Sequence, residues 1–522
     1  MKELVYPRLL LPAAESMADR PSMVSGEYRA TLGEHTERVL HLCGALGGEL
    51  GVVPGDRFAV MALNSHQYIE LWHAAFLGAG IINPLNLRLA PPELAYILAD
   101  SGTEVVFTDG FFAPLVAAAI AAAEEPLPIR HVVLIGDGEY DGAHDYETLL
   151  AAATPATPIE PEELDPVVLM YTGGTTGLPK GVLHDQRAQI LNTYHAGFYI
   201  DFMGGMTWLH QTPMFHAAST SAILSIPATG GRSVVIPLFD PPGVIALIEA
   251  EHVTGTVMVP TMVNMVLAHE DYAPEKLASL DLLVYGASPM PAATLDRLMS
   301  DLPDLDFING YGMTEAASTA SFLLPSDHVP GSPRLRSAGR PVYGSQFSIR
   351  DDAGEPVPTG QTGEVWLRSG SIMREYWNKP EQTAASLAGG WYHTGDAGYL
   401  DEEGYLFLVD RVKDMIVTGG ENVYSIEVEN ALSTHPAVAQ VAVIGIPDEK
   451  WGEAVHAIVV PNEGVEASPD ELIEHARERI AGYKVPKSVD FRSEPLPLSG
   501  AMKVLKRDLR APYWEGHESA VN

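Results

Sequence analysis

A loop of glycines and threonines, entered directly from an apolar run, constrains this chain more than any other feature. The apolar residues 167–170 predict a buried strand, and the stretch that follows, 171–181, has the sequence YTGGTTGLPKG. Glycine lets the backbone turn its N–H groups onto an anion, while the threonine hydroxyls and the Lys180 ammonium add further donors. The sequence therefore predicts a loop that holds phosphate.

The Walker loop is the nearest alternative, and the order of residues disfavours it. A Walker loop places its second glycine directly before Lys and then Ser or Thr. Here Leu178 and Pro179 precede Lys180, and Gly181 follows it. A P-loop kinase or ATPase is therefore disfavoured, and the strand before the loop argues against an ordinary surface loop.

Further motifs follow the loop along the chain. They are YGMTE at 311–315, YHTGD at 392–396, DRVKD at 410–414, GGEN at 419–422 and a late lysine, Lys503. In this order and spacing they resemble the motifs of the adenylate-forming superfamily, which includes acyl-CoA synthetases, peptide-synthetase adenylation domains and beetle luciferases. Because the motifs span nearly the whole chain, it is identified as a member. The segments 419–422 and 448–453 look most like the acyl-CoA synthetase, or fatty-acid–CoA ligase (AMP-forming), branch.

The chain is poor in basic residues. Of its 522 residues, 68 are Asp or Glu and only 32 are Lys or Arg, which gives a formal net charge of −36. Such a surface repels nucleic acid and anionic lipid, so neither is expected as a partner. Six of the ten lysines lie in roughly the last fifth of the chain, where they suit a segment that handles polyphosphate: Lys413, Lys450, Lys484, Lys487, Lys503 and Lys506.

Cysteine use and the N-terminal sequence favour a cytoplasmic protein. The single cysteine, Cys43, cannot form an internal disulfide, and its apolar neighbours predict a core position. The apolar patch 9–11 is interrupted by Pro12 and lacks the charged region and cleavage site of a signal peptide. No stretch reaches the ~18 consecutive apolar residues of a transmembrane helix. We expect no transmembrane segment; the sequence is compatible with a homodimer.

The length predicts two or three structural units. Over residues 1–410, helices alternate with short apolar strands at 58–61, 104–107, 131–135, 233–236 and 282–285, which predicts an α/β domain with largely parallel sheets. Turn-punctuated strands at 342–367 and a hairpin at 396–409 predict a small β subdomain within it. Residues 411–522 predict a smaller α+β lid domain, with helices at 425–432 and 469–480 and strands at 438–446, 454–460 and near 490. The resemblance implies that this domain is mobile.

The resemblance implies a reaction in two steps. A carboxylate is anionic and a poor electrophile, so it first attacks the α-phosphorus of ATP, releases pyrophosphate and leaves an acyl-AMP anhydride. The thiol of CoA then displaces AMP. Because two anions meet in the first step, the site must neutralise their charge. The implied ligands are a small carboxylic acid, ATP, Mg²⁺ and CoA.

The resemblance also assigns the phosphate site. It gives the β- and γ-phosphates to Thr172, Thr175, Thr176 and Lys180, and counts Gly173, Gly174 and Gly177 of the same loop among the ATP-binding residues. Gly173 stands where family members usually have serine, so one hydroxyl donor is lost. Glu315 matches the acidic residue that supports Mg²⁺, and Thr314 lies beside it near the α-phosphate.

Two turns that follow apolar strands are assigned to the nucleoside. They are Gly286, Ala287 and Ser288, and then Asn309, Gly310, Tyr311 and Gly312. The carboxyl ends of strands in α/β sheets are where ligands bind, and the resemblance implies that these turns sandwich adenine, with Tyr311 stacked on it. By the same resemblance, Asp396 accepts hydrogen bonds from the ribose hydroxyls, and Arg411 contacts ribose or phosphate.

Lys503 is assigned to catalysis of the first step. In the family, a lysine on a C-terminal loop bridges the carboxylate and the α-phosphate, which suits an ammonium group. The residues around Lys503 match the family except at Met502, where glycine is usual. If position 502 needs a positive φ, methionine is strained there. Lys506 is an alternative, three residues late in the pattern.

For the second step, the resemblance implies that the C-terminal domain rotates. Lys413 occupies the hinge position, where Asp or Lys is usual. Gly419, Gly420 and Glu421 then line the tunnel for the pantetheine arm of CoA, and Gly420 allows close approach to its backbone.

The segment 213–216 is similar to the acyl-CoA synthetase motif that flanks the acyl pocket. Met214, Phe215 and His216 are its candidates, with Gly286 and Gly312 bordering the acyl channel. Amino-acid-activating relatives have an aspartate near His216 to hold the substrate ammonium. The histidine therefore favours an acid without an amino group, and we expect a fatty or related hydrophobic acid.

Three alternatives remain open at this point. The acyl acceptor could be a carrier protein in place of CoA. The chain could oxidise the adenylate, as luciferases do, and would then emit light or consume O₂. It could also bind ATP without catalysis, an alternative that Met502 suggests.

Overall fold

Strands joined by helices form most of the chain, as its alternating apolar runs predict. The computed structural model describes residues 2–158, 160–172, 178–288, 290–411, 415–418, 421–448, 450–462, 464–465, 467–500, 502 and 504–515. Within these ranges the helices are α1 (Pro7–Ser16), α2 (Leu32–Gly47), α3 (His66–Ala74), α4 (Pro91–Ser101), α5 (Ala113–Ala122), α6 (Tyr146–Ala152), α7 (Gln186–Gly197), α8 (Thr220–Ala228), α9 (Pro241–Glu251), α10 (Pro260–Ala268), α11 (Ala292–Asp301), α12 (Pro380–Ser386), α13 (Ser425–Ser433), α14 (Pro469–Arg477) and α15 (Lys506–Trp514).

The strands of the described ranges form four sheets. In chain order they are β1 (Pro21–Ser25), β2 (Tyr28–Thr31), β3 (Arg57–Met61), β4 (Ile81–Pro84), β5 (Val105–Asp109), β6 (His131–Ile135), β7 (His144–Asp145), β8 (Pro166–Thr172), β9 (Lys180–Asp185), β10 (Thr207–His210), β11 (Arg232–Val235), β12 (Gly255–Met258), β13 (Leu282–Gly286), β14 (Asp306–Tyr311), β15 (Ser321–Leu323), β16 (Arg340–Pro341), β17 (Gln346–Arg350), β18 (Gly363–Arg368), β19 (Glu375–Tyr376), β20 (Tyr392–Leu400), β21 (Leu406–Arg411), β22 (Ile416–Thr418), β23 (Glu421–Val423), β24 (Val438–Asp448), β25 (Gly452–Pro461) and β26 (Ser488–Phe491).

Two large sheets carry the first part of the chain. One has the strand order β19-β9-β8-β4-β3-β5-β6-β7, and the other β16-β15-β14-β13-β12-β10-β11-β1-β2. Their central strands are parallel. Antiparallel pairs occur at β8 with β9, β9 with β19, β14 with β15, β15 with β16 and β1 with β2. The predicted α/β class with largely parallel sheets is confirmed.

The predicted small β subdomain is the third sheet. It is antiparallel, with the order β17-β18-β20-β21, and the turn at 401–404 joins its last two strands. Its strand β21 ends at Arg411, so the predicted domain boundary at 410/411 falls at the end of this strand. The boundary itself stays a prediction.

The fourth sheet belongs to the C-terminal part. Its order is β23-β22-β25-β24, and β26 pairs in parallel with β25. The predicted strands β24, β25 and β26 and helices α13 and α14 are present. Helix α14 ends at Arg477, three residues before its predicted end, where the chain tightens: the Arg479 N–H donates to the Ala476 carbonyl, only three residues back.

Local signals explain where individual helices begin and end. Thr31 caps α2 in a capping box with Glu34, so each side chain accepts from the other's backbone N–H. Helix α4 has Pro91 in its first turn and stops at Gly102, which has a left-handed φ of 60°. The N-terminal apolar patch lies in α1, where Leu10 is fully buried despite Pro12. Within the described ranges, no helix has both the length and the hydrophobicity needed to cross a bilayer.

The core holds several ionisable side chains in a neutral state. Cys43 is buried as predicted, and burial raises the pKa of its thiol to about 12. His35 Nε2 lies 2.9 Å from His73 Nδ1, and His73 Nε2 lies 2.9 Å from the Ile223 carbonyl oxygen. Since a carbonyl only accepts, His73 donates from Nε2 and accepts from His35 at Nδ1. Burial lowers the pKa of His73 to about 4.

We expect these histidines to make the protein acid-sensitive. Burial lowers the pKa of His66, His73 and His184 to about 4 and that of His210 to about 3. Unfolding returns each toward about 6.5, so the unfolded chain binds more protons between these values. The free energy of unfolding should fall, as pH drops from 6.5 toward 4, by about 1 kcal/mol per pH unit for each such histidine. Thermal melts followed by circular dichroism test this, and a flat stability between pH 6.5 and 5 would contradict it.

Candidate active site

The phosphate loop joins the two strands of a hairpin. Thr172 ends β8, Lys180 begins β9, and the two residues pair directly across the strands. The loop residues Gly173, Gly174, Thr175, Thr176 and Gly177 lie outside the described residues. The Lys180 ammonium lies 5.2 Å from the centre of the Tyr376 ring, in cation–π contact. The structure thus brings Thr172 and Lys180 together beside a tyrosine that the sequence did not point to.

Glu315 lies on the turn that follows β14. Its carboxylate Oε1 accepts a hydrogen bond of 2.9 Å from the Tyr376 hydroxyl, and its carbonyl accepts one of 2.7 Å from the Met373 N–H. The preceding residue, Thr314, is held through its carbonyl, which lies 2.7 Å from His184 Nε2. Burial lowers the pKa of His184 to about 4, so at neutral pH the uncharged ring donates from Nε2. His184 and Tyr376 therefore fix the turn that carries both Thr314 and Glu315.

The donors near Glu315 fit a magnesium ion that arrives with a nucleotide. Among the residues that the structure describes, no group of three or more His, Cys, Asp or Glu side chains could hold a metal ion by itself. Mg²⁺ in nucleotide sites is typically held by one or two carboxylates, substrate phosphates and water. A single fixed carboxylate suits that arrangement, in which Glu315 would be the protein ligand; this role stays a prediction.

The predicted adenine turns follow two adjacent parallel strands. Gly286 at the end of β13 pairs with Gly310 in β14, and Tyr285 pairs with Asn309. The predicted turn at 309–312 is wrong in its bounds, because Asn309 to Tyr311 pair with β15 and continue strand β14. Gly286 to Ser288 and the end of β14 still lie at the same edge of the sheet, as parallel strands require. The Asn309 side-chain amide donates to the Ser337 carbonyl at 3.0 Å, which fixes this residue in place.

Tyr311 and Asp396 are in direct contact. The Tyr311 hydroxyl donates to Asp396 Oδ2 at 2.6 Å, and only 8% of Asp396 is exposed. Asp396 also pairs with Arg411 across strands β20 and β21. Tyr311 of the nine-stranded sheet thus meets Asp396 of the antiparallel sheet, and the backbone of Arg411 lies beside Asp396.

Backbone strain concentrates at this site. Six described residues other than glycine have a positive φ, and four of them lie here: Ala287, Ala317, Ser318 and Met502. Such conformations cost about 1–3 kcal/mol each and cluster at functional sites. Gly312 contributes a close approach, because a Cβ at this position would lie 1.6 Å from the Ser318 carbonyl oxygen. Glycine is thus required at 312 by backbone packing; its place beside an acyl channel stays a prediction.

The acyl-pocket candidates precede helix α8. Met214 is fully buried, and its N–H donates to Asn64 Oδ1 at 2.9 Å. Phe215 is also buried, and its ring lies 6.5 Å from that of His216, centre to centre, in an edge arrangement. His216 Nδ1 accepts from the Ala218 N–H at 3.3 Å. The three side chains therefore have defined positions at the entry to α8.

A loop of the C-terminal part docks against these residues. Gly500 passes so close that a Cβ there would lie 2.2 Å from Asn86 Oδ1 and 3.0 Å from Phe215 Cζ. Arg88 donates to the Leu498 carbonyl, and the Thr261 hydroxyl donates to the Met502 carbonyl at 3.3 Å. Asn86, Arg88 and Thr261 were not anticipated from the sequence, because they lie in separate segments without a shared motif.

Met502 has a positive φ, as the usual glycine at this position of the motif suggested. Its φ is 61°, in the left-handed region that favours glycine. Its side chain packs against the core cluster of the nine-stranded sheet, and its sulfur lies 3.8 Å from Arg88 Nη2. The conditional expectation of strain is confirmed, and side-chain contacts offset part of the cost.

A pair of variants isolates this strain. Met502→Ala and Met502→Gly both lose the side-chain contacts, but only alanine keeps a Cβ in the left-handed conformation. That conformation costs at least about 1 kcal/mol, so the alanine variant should release pyrophosphate about fivefold more slowly than the glycine variant. Initial rates with saturating ATP and acid provide the measurement. Equal rates in the two variants would contradict the interpretation.

The remaining predicted residues are only partly described. Lys503, Lys413, Gly419 and Gly420 lie outside the described residues, and Glu421 begins strand β23. The alternative lysine, Lys506, pairs with Glu429 Oε1 at 2.7 Å and with the Ser425 hydroxyl at 2.5 Å. Lys506 is thus bound within the C-terminal part. The catalytic, hinge and CoA roles of the other residues stay predictions.

Comparison with known proteins identifies the family. The family model of the AMP-binding enzymes matches residues 11–377, and that of the AMP-binding enzyme C-terminal domain matches residues 427–503. A feruloyl-CoA synthase of Amycolatopsis sp. is 39% identical over 490 residues, which cover 94% of this chain and 95% of that protein.

Two further relatives are a ligase named for a carrier-protein acceptor and an enzyme whose crystal structure is known. A fatty acid–[acyl-carrier-protein] ligase of Streptomyces coeruleorubidus is 35% identical over 498 residues, covering 94% of this chain and 92% of that one. The crystal structure of an anthranilate CoA ligase in complex with anthranoyl-AMP superposes with a TM-score of 0.89 at 26% identity, covering 98% and 97% of the two chains. The chain therefore belongs to the family of AMP-binding enzymes, within the adenylate-forming superfamily.

Proposed function

We propose that this protein is an AMP-forming acid:CoA ligase that acts on a hydrophobic, fatty or related, carboxylic acid. The observation that carries the proposal is the docking of the loop 498–504 against Asn86, Phe215 and Thr261. Through this contact, the segment that contains Lys503 meets the acyl-pocket candidates and the first large domain. An enzyme that joins an acid to a nucleotide must bring the residues that bind the acid close to those that act on the phosphate.

The chemistry of the first step follows from the charges. An oxygen of the substrate carboxylate attacks the α-phosphorus of ATP, and the bond to the pyrophosphate oxygen breaks, with its electron pair leaving on pyrophosphate. Lys180 beside the phosphate loop and Lys503 supply positive charge, and Glu315 holds the Mg²⁺ that accompanies the phosphates. Tyr311 and Asp396, joined by their hydrogen bond, hold the nucleoside.

In the second step, the sulfur of CoA attacks the acyl carbon of the anhydride. The bond from that carbon to the phosphate oxygen breaks, and AMP leaves with the electron pair. The hinge role of Lys413 and the pantetheine path along Gly419, Gly420 and Glu421 belong to this part of the proposal. A rotation of the C-terminal part supplies the path for the thiol.

The substrate class is argued from the pocket candidates and the relatives. Phe215 is apolar and lies beside His216, Met214 is packed in the core behind them, and none of the three is an acid that would hold a substrate ammonium. The feruloyl-CoA synthase is named for an aryl-alkenoic acid and the Streptomyces coeruleorubidus ligase for fatty acids, whereas the anthranilate CoA ligase takes an acid with an aromatic amino group. A hydrophobic acid fits these relatives, and the absence of an acidic side chain among the three candidates favours one without an aliphatic ammonium group.

A carrier protein is the second candidate acceptor. The specific support is the carrier-protein ligase of Streptomyces coeruleorubidus, whose identity to this chain is close to that of the CoA-dependent relative. We favour CoA because the segments 419–422 and 448–453 are most similar to those of CoA ligases.

One assay separates the candidates. Pyrophosphate release is measured with Mg-ATP over a panel of aliphatic, hydroxycinnamic and other aryl acids, with and without CoA. Release with a hydrophobic acid, accompanied by AMP and a CoA thioester, is the expected result. Release without thioester formation favours a carrier-protein acceptor. No release with any acid, while ATP still binds, contradicts the proposed function.

A further inference from the structure

Tyr376 touches both charged residues of the phosphate site that the structure describes. Its hydroxyl donates to Glu315 Oε1 at 2.9 Å, and the face of its ring lies 5.2 Å from the Lys180 ammonium. Tyr376 is buried, and no motif considered in the sequence includes it. A tyrosine that contacts an anion through its edge and a cation through its face can set the spacing between them.

The backbone around Tyr376 ties the same two elements together. Strand β19 adds to the free side of β9, with Tyr376 opposite Val182. The Met373 N–H donates to the Glu315 carbonyl, and the Trp377 N–H donates to the Gly181 carbonyl, both at 2.7 Å. The segment 373–377 therefore fastens the turn of Glu315 to the start of the strand that carries Lys180.

A second tyrosine supports the first. Tyr392 at the start of β20 is buried and packs with Tyr376 in one apolar cluster, together with Val182 and Met373. This packing restricts the Tyr376 ring, so that its hydroxyl is held where it donates to Glu315. Tyr376 Oη thus has a fixed position, and so does the carboxylate oxygen that it binds.

Without Tyr376 between them, the Lys180 ammonium and the Glu315 carboxylate could form a direct ion pair. The described residues include no ion pair between them, and the ring of Tyr376 lies beside both groups. An ammonium needed for phosphate and a carboxylate needed for a metal would neutralise each other if they paired directly. The tyrosine offers each a partner that leaves its charge in place.

We propose that Tyr376 is a positioning residue of the nucleotide site, which orients Glu315 for the Mg²⁺ of bound Mg-ATP through its hydroxyl and holds Lys180 beside it through its ring. The inference rests on the proposed function, since it assigns Glu315 to a metal that accompanies ATP. Residues that orient a metal ligand typically change metal affinity 10- to 100-fold when altered. Tyr376 is therefore expected to govern how strongly Mg²⁺ promotes ATP binding.

Two substitutions separate the hydroxyl from the ring. Tyr376→Phe keeps the ring beside Lys180 and removes only the hydrogen bond to Glu315. Tyr376→Leu removes both contacts and keeps an apolar side chain in the same cluster. ATP binding by each purified full-length variant is measured by calorimetry without acid, once with excess Mg²⁺ and once with EDTA.

Tyr405 provides a matched control. Its hydroxyl donates to Asp327 Oδ1 at 2.8 Å, and the guanidinium groups of Arg334 and Arg340 lie 4.6 and 4.4 Å from its ring centre. It therefore has the same kinds of contact as Tyr376, in a place to which no nucleotide role is assigned. Tyr405→Phe should bind ATP like the wild type, with Mg²⁺ and without.

The inference predicts a specific pattern. Tyr376→Phe should bind ATP like the wild type in EDTA and about tenfold or more weakly with Mg²⁺. Tyr376→Leu should be weaker in both conditions, because Lys180 also loses its partner. A wild-type dependence on Mg²⁺ in Tyr376→Phe, or an equal loss in both conditions, would overturn the inference. If the leucine variant does not fold, the phenylalanine variant decides alone. A wild-type protein that binds no ATP would contradict the proposed function itself.

Discussion

Replacing Lys503 with alanine is expected to lower acid-dependent pyrophosphate release at least about a hundredfold. An ammonium that bridges two anions acts only where their charges meet, which is in the first step. Supplied with synthetic acyl-AMP and CoA, the same variant should form thioester at close to the wild-type rate. Steady-state release of pyrophosphate and thioester formation from acyl-AMP are measured separately.

Lys506 is the matched control for this variant. Lys506→Ala makes the same change in charge three residues away, but Lys506 pairs with Glu429 inside the C-terminal part. Its pyrophosphate release should stay within a few-fold of the wild type. If Lys506→Ala were as damaging as Lys503→Ala, or if the latter kept more than a tenth of the activity, the assignment of Lys503 would be wrong.

The largest expected change in stability comes from Arg38→Ala. Glu70 is fully buried, and Arg38 binds it through Nε at 2.7 Å and Nη2 at 3.2 Å, while the Tyr146 hydroxyl donates to it at 2.7 Å. Burial raises the pKa of the Glu70 carboxyl against the opposing attraction of Arg38. Removing Arg38 leaves a buried carboxyl without its counter-charge, a change that typically costs about 3–5 kcal/mol.

The cost should appear as a lower urea midpoint for the first unfolding transition. Arg8→Ala is the control, since Arg8 pairs with Glu160 at 2.6 Å but both side chains are largely exposed. Exposed pairs contribute little, so the Arg8 variant should unfold at the wild-type midpoint. Equal midpoints for the Arg38 and Arg8 variants would show that the buried pair contributes no more than a surface pair.

The strands of the nucleoside site could be predicted from the sequence because their signals are local. The apolar runs 282–285 and 307–308 each lead to a glycine near the carboxyl end of a parallel strand, and adjacent parallel strands present these ends at one edge. The turn predicted at 309–312 is wrong in its bounds, because pairing with β15 extends β14 to Tyr311. The strain at Met502 could also be predicted from a local signal. Methionine stands where the motif usually has glycine, and such a position can require a positive φ. Motif order then supplied the family.

Tyr376 could not be predicted in this way. It lies 61 residues from Glu315, and its strand, β19, has only two residues, too few for an apolar pattern to stand out. Strand β19 pairs with β9, which lies far from it in the sequence, and no short motif indicates this pairing. Helix α15 was missed for another reason, because Pro512 within it argues against a helix.

The contacts of the loop 498–504 with residues earlier in the chain could not be predicted from the sequence either. Asn86, Arg88 and Thr261 make ordinary hydrogen bonds, and only the three-dimensional arrangement brings them to Gly500 and Met502. Sequence reasoning could place Lys503 in a family role. It could not show which residues of the first domain receive the loop.

The most direct test of the central claim, that this protein joins a carboxylic acid to AMP, is acid-dependent exchange of labelled pyrophosphate into ATP. The exchange is measured with Mg²⁺ and without CoA, using an acid from the hydrophobic panel. The account predicts label in ATP only when protein, acid and Mg²⁺ are all present, because exchange requires reversible formation of acyl-AMP and pyrophosphate. Absence of exchange with every acid of the panel, together with conversion of ATP to ADP and phosphate, would contradict it.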